Sequence, residues 1–256
     1  MSSGTWISPC TGSLMNFIVK PFGENYYVRI GACGWRYLDA KRYFGDGWKE
    51  RFGSKLRAYA QLFDCVEVNS TFYRLPRIST AEKWRREVPE GFAFTVKMWR
   101  AITHEKQFRG ADEETEAFLA VARALRAPVI LIQTPRRFRQ TGENERIVLD
   151  YLSTLPPSFS YALELRGWEH SPRFSPFIWV VDPFASAPPE QDAYYFRLHG
   201  SPPGERMYYY RYTDADLEKL ADIVLSLSPD SVWLFFNNIW MYEDALRFKE
   251  VVARRK

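Results

Sequence analysis

The segment FDCVEVNSTFYRLP, residues 63–76, contains a short run in which apolar and polar side chains alternate. Val66 and Val68 share one face of a β-strand with this two-residue period. Glu67 and Asn69 share the other face. A surface strand would leave the carboxylate of Glu67 in water, whereas a strand inside a domain would bury it. The location of this polar face therefore depends on the other strands of the chain.

Seven further segments resemble this one and are rich in Val, Ile, Phe and Tyr, as buried strands are. With residues 65–70, the predicted strands are 26–32, 92–97, 128–134, 161–166, 177–182, 194–200 and 231–238. Helical patterns lie between most of them. This alternation predicts an α/β fold, a parallel (β/α)8 TIM barrel. An open doubly wound sheet is the alternative, but no glycine-rich dinucleotide fingerprint follows the first strand.

The predicted helices are unevenly distributed along the chain. Capping boxes at Ser79 with Glu82 and at Thr213 with Asp216 predict two helix starts. Only about one helical turn fits between strands five and six, and the connection between strands six and seven has a loop composition. We therefore expect a barrel with reduced helices between strands 5, 6 and 7. We hypothesise that an N-terminal extension or a second subunit packs there.

Length and composition are typical of a single soluble domain. The 256 residues suit one barrel of about 250 residues, with residues 1–25 as an N-terminal extension and residues 26–256 as the barrel domain. The net charge of +4 permits an anionic partner without requiring one. Three cysteines without a CxxC pair favour a reducing, cytoplasmic location. No apolar run suits a membrane span, so we expect no membrane association. We also expect a monomer or a homodimer.

Polar side chains follow nearly every predicted strand at its C-terminal end, where the active sites of TIM barrels lie. Three strands carry pairs two residues apart: Glu67 and Asn69, Glu164 and Arg166, and Arg197 and His199. Members of such a pair share one face. The residues between them, Val68, Leu165 and Leu198, suit the side that faces the helices. The polar members are therefore predicted to point into the barrel mouth.

These strand ends define the candidate site. The candidate catalytic residues are Glu67, Glu164, Asp182 and His199. The candidate substrate-binding residues are Trp35, Asn69, Tyr73, Lys97, Gln133, Arg166, Arg197, Asn237 and Asn238. Arginines indicate a phosphate or carboxylate ligand. A carboxylate with a histidine can supply an acid and a base, although a histidine here can equally be a hydrogen-bonded core residue.

No metal or cofactor is predicted from these residues. Three histidines in the chain are too few for a multinuclear zinc site. A single Mg²⁺ or Mn²⁺ on Glu164, Asp182 and water remains open. We interpret Cys33 as a small buried residue in a glycine-flanked turn rather than as a nucleophile. The loops at 35–52 and 201–212 mix aromatic and basic residues, which suits either stacking of bases or sugars or a lid over the barrel mouth.

Several motifs together resemble a known family. IGACGWRY, YAQLFDCVEVNSTFYRLP, LIQTPRRF, ALELRGWEH, YFRLHG and LFFNN occur in this order over about residues 28–250 and resemble the domain of unknown function 72 family, also called YecE-like. The resemblance implies a TIM barrel of unestablished activity. Many relatives carry Ser where Cys33 stands, and the region between strands five and seven is shorter than usual.

The sequence supports two main functions. In the first, the protein binds and hydrolyses a phosphate-bearing substrate such as a nucleotide or a single-stranded nucleic acid. In the second, it is a non-catalytic barrel that binds a nucleic acid or a small anion. A sugar isomerase or lyase is a third alternative, which the absence of an obvious metal cluster in the sequence disfavours.

Overall fold

A computed structural model of the protein describes residues 27–200, 207–227 and 229–255. Eight parallel strands form a closed barrel in chain order, which confirms the predicted TIM barrel and makes the open doubly wound sheet wrong. The strands are β1 (Tyr27–Ala32), β2 (Cys65–Val68), β3 (Ala93–Lys97), β4 (Val129–Gln133), β5 (Ser160–Glu164), β6 (Ile178–Val181), β7 (Ala193–Leu198) and β8 (Ser231–Phe236). The ring closes where β1 pairs with β8, from Tyr27 opposite Ser231 to Ala32 opposite Phe236.

Helices surround most of the barrel. They are α1 (Ala40–Phe44), α2 (Trp48–Phe52), α3 (Lys55–Tyr59), α4 (Ser70–Tyr73), α5 (Ile78–Glu87), α6 (Asp112–Leu125), α7 (Gly142–Ser153), α8 (Asp214–Ser226) and α9 (Met241–Arg254). A π-helical turn, Ala101–Glu105, follows β3. In the described parts of the chain, none of these helices has the length and apolar character needed to cross a membrane.

The coverage is thin beside three strands, as predicted. A 3₁₀ turn, Pro172–Phe174, joins β5 to β6. Residues 183–192, which join β6 to β7, contain no helix. The predicted N-terminal extension at 1–25 lies outside the described residues.

The two predicted capping boxes have different outcomes. Thr213 and Asp216 form the expected reciprocal box at the start of α8. The prediction of a box at Ser79 is wrong, because α5 begins at Ile78 after Arg77 and has no side-chain cap. Ser79 is therefore already inside the first turn of the helix, where its side chain cannot act as the cap.

Side chains of the strands alternate between two apolar layers. Val66, Val68, Leu165 and Leu198 belong to the layer between the barrel and the helices, which confirms the predicted orientation of these residues. A second layer fills the inside of the barrel: Cys65, Ala93, Val129, Leu131, Ala162, Val180, Tyr195, Trp233 and Phe235. The polar groups at the strand ends lie directly above this inner layer.

Strands β1 and β2 approach each other closely. A Cβ atom on Gly31 would lie 2.6 Å from the carbonyl oxygen of Cys65 and 2.9 Å from its Sγ. The strands share one register pair, Ala32 opposite Val66. The hydroxyl of Tyr59, at the end of α3, accepts from the amide of Ala32 and donates to the carbonyl of Cys65, each at 2.9 Å. A helix side chain therefore joins the two strands beside this pair.

We expect Gly31→Ala to lower the free energy of unfolding by about 1–3 kcal/mol, because its new methyl group meets rigid backbone. Urea denaturation measures the change. Gly142→Ala is the matched control, since its Cβ would meet open space in the first turn of α7. Equal stability of the two variants would contradict the close approach of β1 and β2.

Candidate functional site at the barrel mouth

Arg197 and Glu67 form a buried ion pair at the C-terminal end of the barrel. Their side chains are 2% and 0% exposed. Nε of Arg197 donates to Oε2 of Glu67 at 3.0 Å, and Nη2 donates to Oε1 at 2.9 Å. Burial alone would raise the pKa of Glu67, but its ion pair and hydrogen bonds with Arg197 outweigh burial and lower it. Glu67 is therefore ionised and fully committed to its protein partners.

A second carboxylate completes the pairing of Arg197. Nη1 of Arg197 donates to Oε2 of Glu164, and Nε of Arg166 donates to Oε1 of Glu164 at 3.3 Å. Burial acts to raise the pKa of Glu164, but Arg197, His199 and Arg166 hold it well below its ordinary value. The predicted polar pair of β5 and that of β7 thus meet in one cluster.

Two neutral groups support Glu67 from below and beside it. Tyr195 donates its hydroxyl to Oε2 of Glu67 at 2.7 Å and lies 2.8 Å from Oγ1 of Thr95. The thiol of Cys33 donates to Oε1 of Glu67 at 3.1 Å. Burial, and then Glu67, raise the pKa of Cys33 well above its ordinary value, so the thiol stays protonated. Our sequence interpretation did not include Tyr195, although its spacing of two residues from Arg197 places it on the same face.

Lys97, at the end of β3, differs from these paired charges. Its Nζ donates to Oε1 of Gln133 at 2.7 Å and lies 4.2 Å from the centre of the Phe72 ring. Within the described chain, no carboxylate forms an ion pair with this ammonium. Burial, and then Arg197, lower the pKa of Lys97 to about 8. Lys97 is therefore a buried cation whose charge is only partly compensated.

His104 lies near several cations, including Lys97. His104 lies in the π-helical turn after β3, with its Nδ1 2.8 Å from Oγ1 of Thr103. Burial, and then Lys97, Arg100 and Arg137, lower the pKa of His104 to about 4. The imidazole is thus neutral at pH 7. Single π-helical turns are frequent at functional sites, but the sequence around His104 carries no pattern that predicts one.

His199 and Asp182 form the opposite side of the mouth. Nη1 of Arg197 lies 3.2 Å from Nε2 of His199, and an arginine only donates, so Nε2 accepts and the proton belongs on Nδ1. Nδ1 lies 3.7 Å from Oδ2 of Asp182. The same carboxylate accepts from the backbone amides of His199 and Phe184 at 3.0 and 3.1 Å. Asp182 therefore orients His199 and closes the turn after β6.

A cavity of about 390 Å³, the mouth cavity, opens between these residues. Its walls include Arg136, Glu164, Arg166, Asp182, Arg197 and His199. This volume lies within the usual range of ligand sites, about 300–1,000 Å³. Arg136 was not among the predicted site residues, although it follows β4 by three positions in the motif LIQTPRRF.

Trp35 and Tyr73 lie outside the charged cluster. The ring of Trp35 packs edge-on against Trp84 and Phe94 at 5.0 and 6.4 Å, in the layer outside the barrel. Tyr73 ends α4 with 69% of its surface exposed and contacts the ring of Phe72. Packing against α5 and β3 thus explains the position of Trp35. The exposed ring of Tyr73 can still contact a ligand at the rim.

The three predicted asparagines occupy different environments. Asn69 donates weakly to the carbonyl of Cys33 at 3.5 Å, and its buried Oδ1 has no partner in the described residues. Asn237 lines a second cavity near β1 and β8. Asn238 donates to Asp244 at 2.7 Å and to the carbonyl of Tyr210 at 2.8 Å, which anchors the start of α9. Asn237 and Asn238 both line this second cavity, so neither belongs to the charged cluster around Arg197.

The described residues contain no group of three or more His, Cys, Asp or Glu side chains that could hold a metal ion. Glu164 and Asp182, the pair considered for a single Mg²⁺ or Mn²⁺, bind protein donors instead. Glu164 accepts from two arginines, and Asp182 accepts from two backbone amides.

Comparison with known proteins gives consistent matches. A family model described as a protein of unknown function, DUF72, matches residues 29–173. The UPF0759 protein YecE of Escherichia coli K12 is 31% identical over 134 residues, 51% of this chain and 48% of that protein. This chain therefore spans about half the length of that relative.

Two other proteins match most of the chain. The UPF0759 protein YunF of Bacillus subtilis is 26% identical over 82% of this chain and 88% of its own length. A crystal structure of a DUF72 family protein from Enterococcus faecalis is 22% identical and covers 88% of this chain and 95% of its own, with a TM-score of 0.68. At this identity the structural likeness concerns the fold alone.

We expect Arg197→Met to lower the free energy of unfolding by about 3–5 kcal/mol, because Glu67 and Glu164 would remain buried without their partner. Urea denaturation measures the loss. Arg123→Met is the control, since its pair with Glu116 is exposed and is worth at most about 1 kcal/mol. Similar losses in the two variants would contradict a structural role of the buried cluster.

We expect Lys97 to make stability rise with pH. Its folded pKa of about 8 lies below that of an unfolded lysine, so the unfolded chain binds more protons between the two values. Relative to Lys97→Met, the wild type should gain about 1–3 kcal/mol of unfolding free energy between pH 7 and 10. Urea titrations at each pH measure this, with the exposed Lys83→Met as control. Parallel curves for wild type and Lys97→Met would contradict the lowered pKa.

Proposed function

Since the chain belongs to the DUF72 family, whose function is unknown, its function has to be derived from its own side chains, and we propose that the barrel mouth binds a phosphate-bearing anion. A nucleotide and the backbone of a single-stranded nucleic acid both carry this group. The ammonium of Lys97 carries the proposal, because it is a buried charge without an ion-pair partner among the described residues. Burying such a charge is costly unless it is paired, and an anionic ligand would pair it.

The cations of the mouth divide into two groups with different roles. Arg197 directs all five of its N–H groups at protein atoms, on Glu67, Glu164, His199 and Cys33. It therefore orients the site and has no donor left for a ligand. Among the described residues, the side chain of Arg166 bonds only Glu164, through Nε, so its two terminal nitrogens can form the paired hydrogen bonds that phosphates favour.

Arg136 and Arg166 line the mouth cavity together with Arg197, whereas Lys97 is buried at the end of β3 and is not one of the lining residues. The side chain of Arg136 is exposed and lies on the loop after β4, next to the strand that carries Arg166. A phosphate held by Lys97, Arg166 and Arg136 would lie above β3 to β5. After burial, nearby cations including Lys97 lower the pKa of His104, which supports the same location.

Phosphoester hydrolysis is the second candidate function, and His199 favours it. Its side chain lines the mouth cavity, and Asp182 lies beside its Nδ1. A histidine oriented by a carboxylate is a frequent proton carrier in catalysis. Glu67 and Glu164 suit the role of general base poorly, because their lowered pKa values disfavour accepting a proton. In this proposal they hold Arg197 in position.

We expect Lys97→Met and Arg166→Gln each to weaken binding of pyrophosphate and ribose 5-phosphate by about 10- to 100-fold, because each removes a charge-assisted hydrogen bond. Isothermal titration calorimetry measures the affinities. Wild-type affinity should also fall as the pH rises through about 8, since Lys97 then loses its proton. The fall should be absent in Lys97→Met.

Lys83→Met and Arg146→Gln are the matched controls, because both side chains are exposed on outer helices. Circular dichroism checks that each variant is folded. No binding of either anion to the wild type, or equal losses in the controls, would contradict the proposed function. Phosphate release from pyrophosphate and ribose 5-phosphate, and chain cleavage of single-stranded DNA and RNA, test hydrolysis with and without Mg²⁺ or Mn²⁺. Any such activity should be lost in His199→Gln.

A further inference from the structure

A second cavity opens at the barrel mouth, on the side of β1 and β8. It has a volume of about 470 Å³, and we call it the tyrosine cavity. Its walls include Tyr37, Tyr43, Tyr208, Tyr242, Asn237 and Ile239. None of the groups proposed to hold phosphate lines this cavity, so its role requires a separate explanation.

One layer of side chains separates the tyrosine cavity from the mouth cavity. Cys33 lines the tyrosine cavity, and its Sγ lies 4.0 Å from Nη2 of Arg197, which lines the mouth cavity. On the other side of this layer, the ring of Tyr208 meets the ring of His199 edge-on, with 5.7 Å between their centres. The two cavities are therefore neighbours at the barrel mouth.

The wall of the tyrosine cavity carries polar atoms without partners. The hydroxyl of Tyr43 and Oδ1 of Asn238 are buried, and neither has a hydrogen-bond partner among the described residues. Burial, and then Glu243, raise the pKa of Tyr43 to about 12, so its hydroxyl stays protonated. Buried polar atoms in folded proteins are normally bonded. One hydroxyl and one amide oxygen at this wall thus match a ligand edge that offers both donors and acceptors.

The rim of the tyrosine cavity offers aromatic faces. Tyr37 is 78% exposed, so its ring is open to a ligand. Tyr208 adopts a φ of 73°, which is strained for a bulky residue. Its amide donates to the carbonyl of His199 at 2.7 Å, and its carbonyl accepts from Ile239 at 2.9 Å. The backbone thus holds the Tyr208 ring at the cavity against its local preference.

The charges of the tyrosine cavity do not favour a second anion. Arg42 pairs with Glu243, and Asp39, which accepts from the backbone amide of Arg42, adds a negative charge with no ion pair among the described residues. A flat and neutral ring with hydrogen-bonding groups on its edge suits this wall better than a phosphate does. Aromatic side chains bind nucleobases in this way, because every base has a face that stacks.

We infer that the tyrosine cavity binds the nucleobase of a mononucleotide whose phosphate lies in the mouth cavity, which rests on the proposed function and narrows its ligand to a nucleotide. Tyr37 and Tyr208 stack on the base. The Tyr43 hydroxyl, the amide group of Asn237 and Oδ1 of Asn238 contact its edge. The sugar lies over Cys33 and His199, between the two cavities.

Calorimetry with AMP, GMP, CMP, UMP, their nucleosides and ribose 5-phosphate tests this inference. At least one mononucleotide should bind the wild type about tenfold or more tighter than ribose 5-phosphate, as stacking of one base implies. Tyr37→Ala should weaken that nucleotide about 5- to 100-fold. Tyr43→Phe, which removes only an unpartnered hydroxyl, should weaken it about 2- to 10-fold. Neither variant should change the affinity for ribose 5-phosphate.

Tyr194→Phe is the matched control, since this buried tyrosine lies on the outer face of β7 against Phe196. Binding of ribose 5-phosphate with no gain for any mononucleotide overturns the tyrosine cavity alone. Equal losses of ribose 5-phosphate and nucleotide in Tyr43→Phe overturn it as well. Nucleosides that bind as tightly as nucleotides overturn the phosphate site and support the base site. A wild type that binds none of these ligands overturns both.

Discussion

The buried guanidinium of Arg197 imposes the main constraint on this molecule. A cation inside a barrel is stable only when opposite charges and acceptors surround it. Glu67 from β2 and Glu164 from β5 supply the charges, and these strands lie three positions apart in the ring. Their ion pairs therefore connect strands that do not pair with each other, and the polar layer depends on the closed barrel.

The same constraint decides which groups can act on a ligand. Arg197 uses its donors on protein atoms, so it orders Cys33 and His199 around it. Lys97 lies nearby, and the positive charge of Arg197 contributes to its lowered pKa. The cluster thus keeps one lysine in a state that an incoming anion can stabilise. The fully paired charge of Arg197 and the partly compensated charge of Lys97 thus lie close together.

The fold and the inward direction of the strand-end residues followed from the sequence because both depend on a two-residue period. The partners did not follow, because the mouth gathers the ends of all eight strands and Glu67 could have met any of three cations. Tyr195 was missed, although the same period places it below Arg197. Trp35 and Asn238 were assigned to the site because of their position near strand ends. Contacts with Trp84 and Asp244 hold them outside the charged cluster around Arg197, and only the packing of helices reveals such contacts.

The hydroxyl of Tyr59 reinforces the junction between β1 and β2. These strands share a single register pair, and beside it a helix side chain satisfies one amide and one carbonyl. Helix α3 cannot move away without leaving both groups unpaired inside the protein. The position of this short helix and the integrity of the strand junction are thus mechanically coupled. Because β1 leads into Cys33 and β2 carries Glu67, a displacement of α3 would reach the floor of the ligand site through the backbone itself.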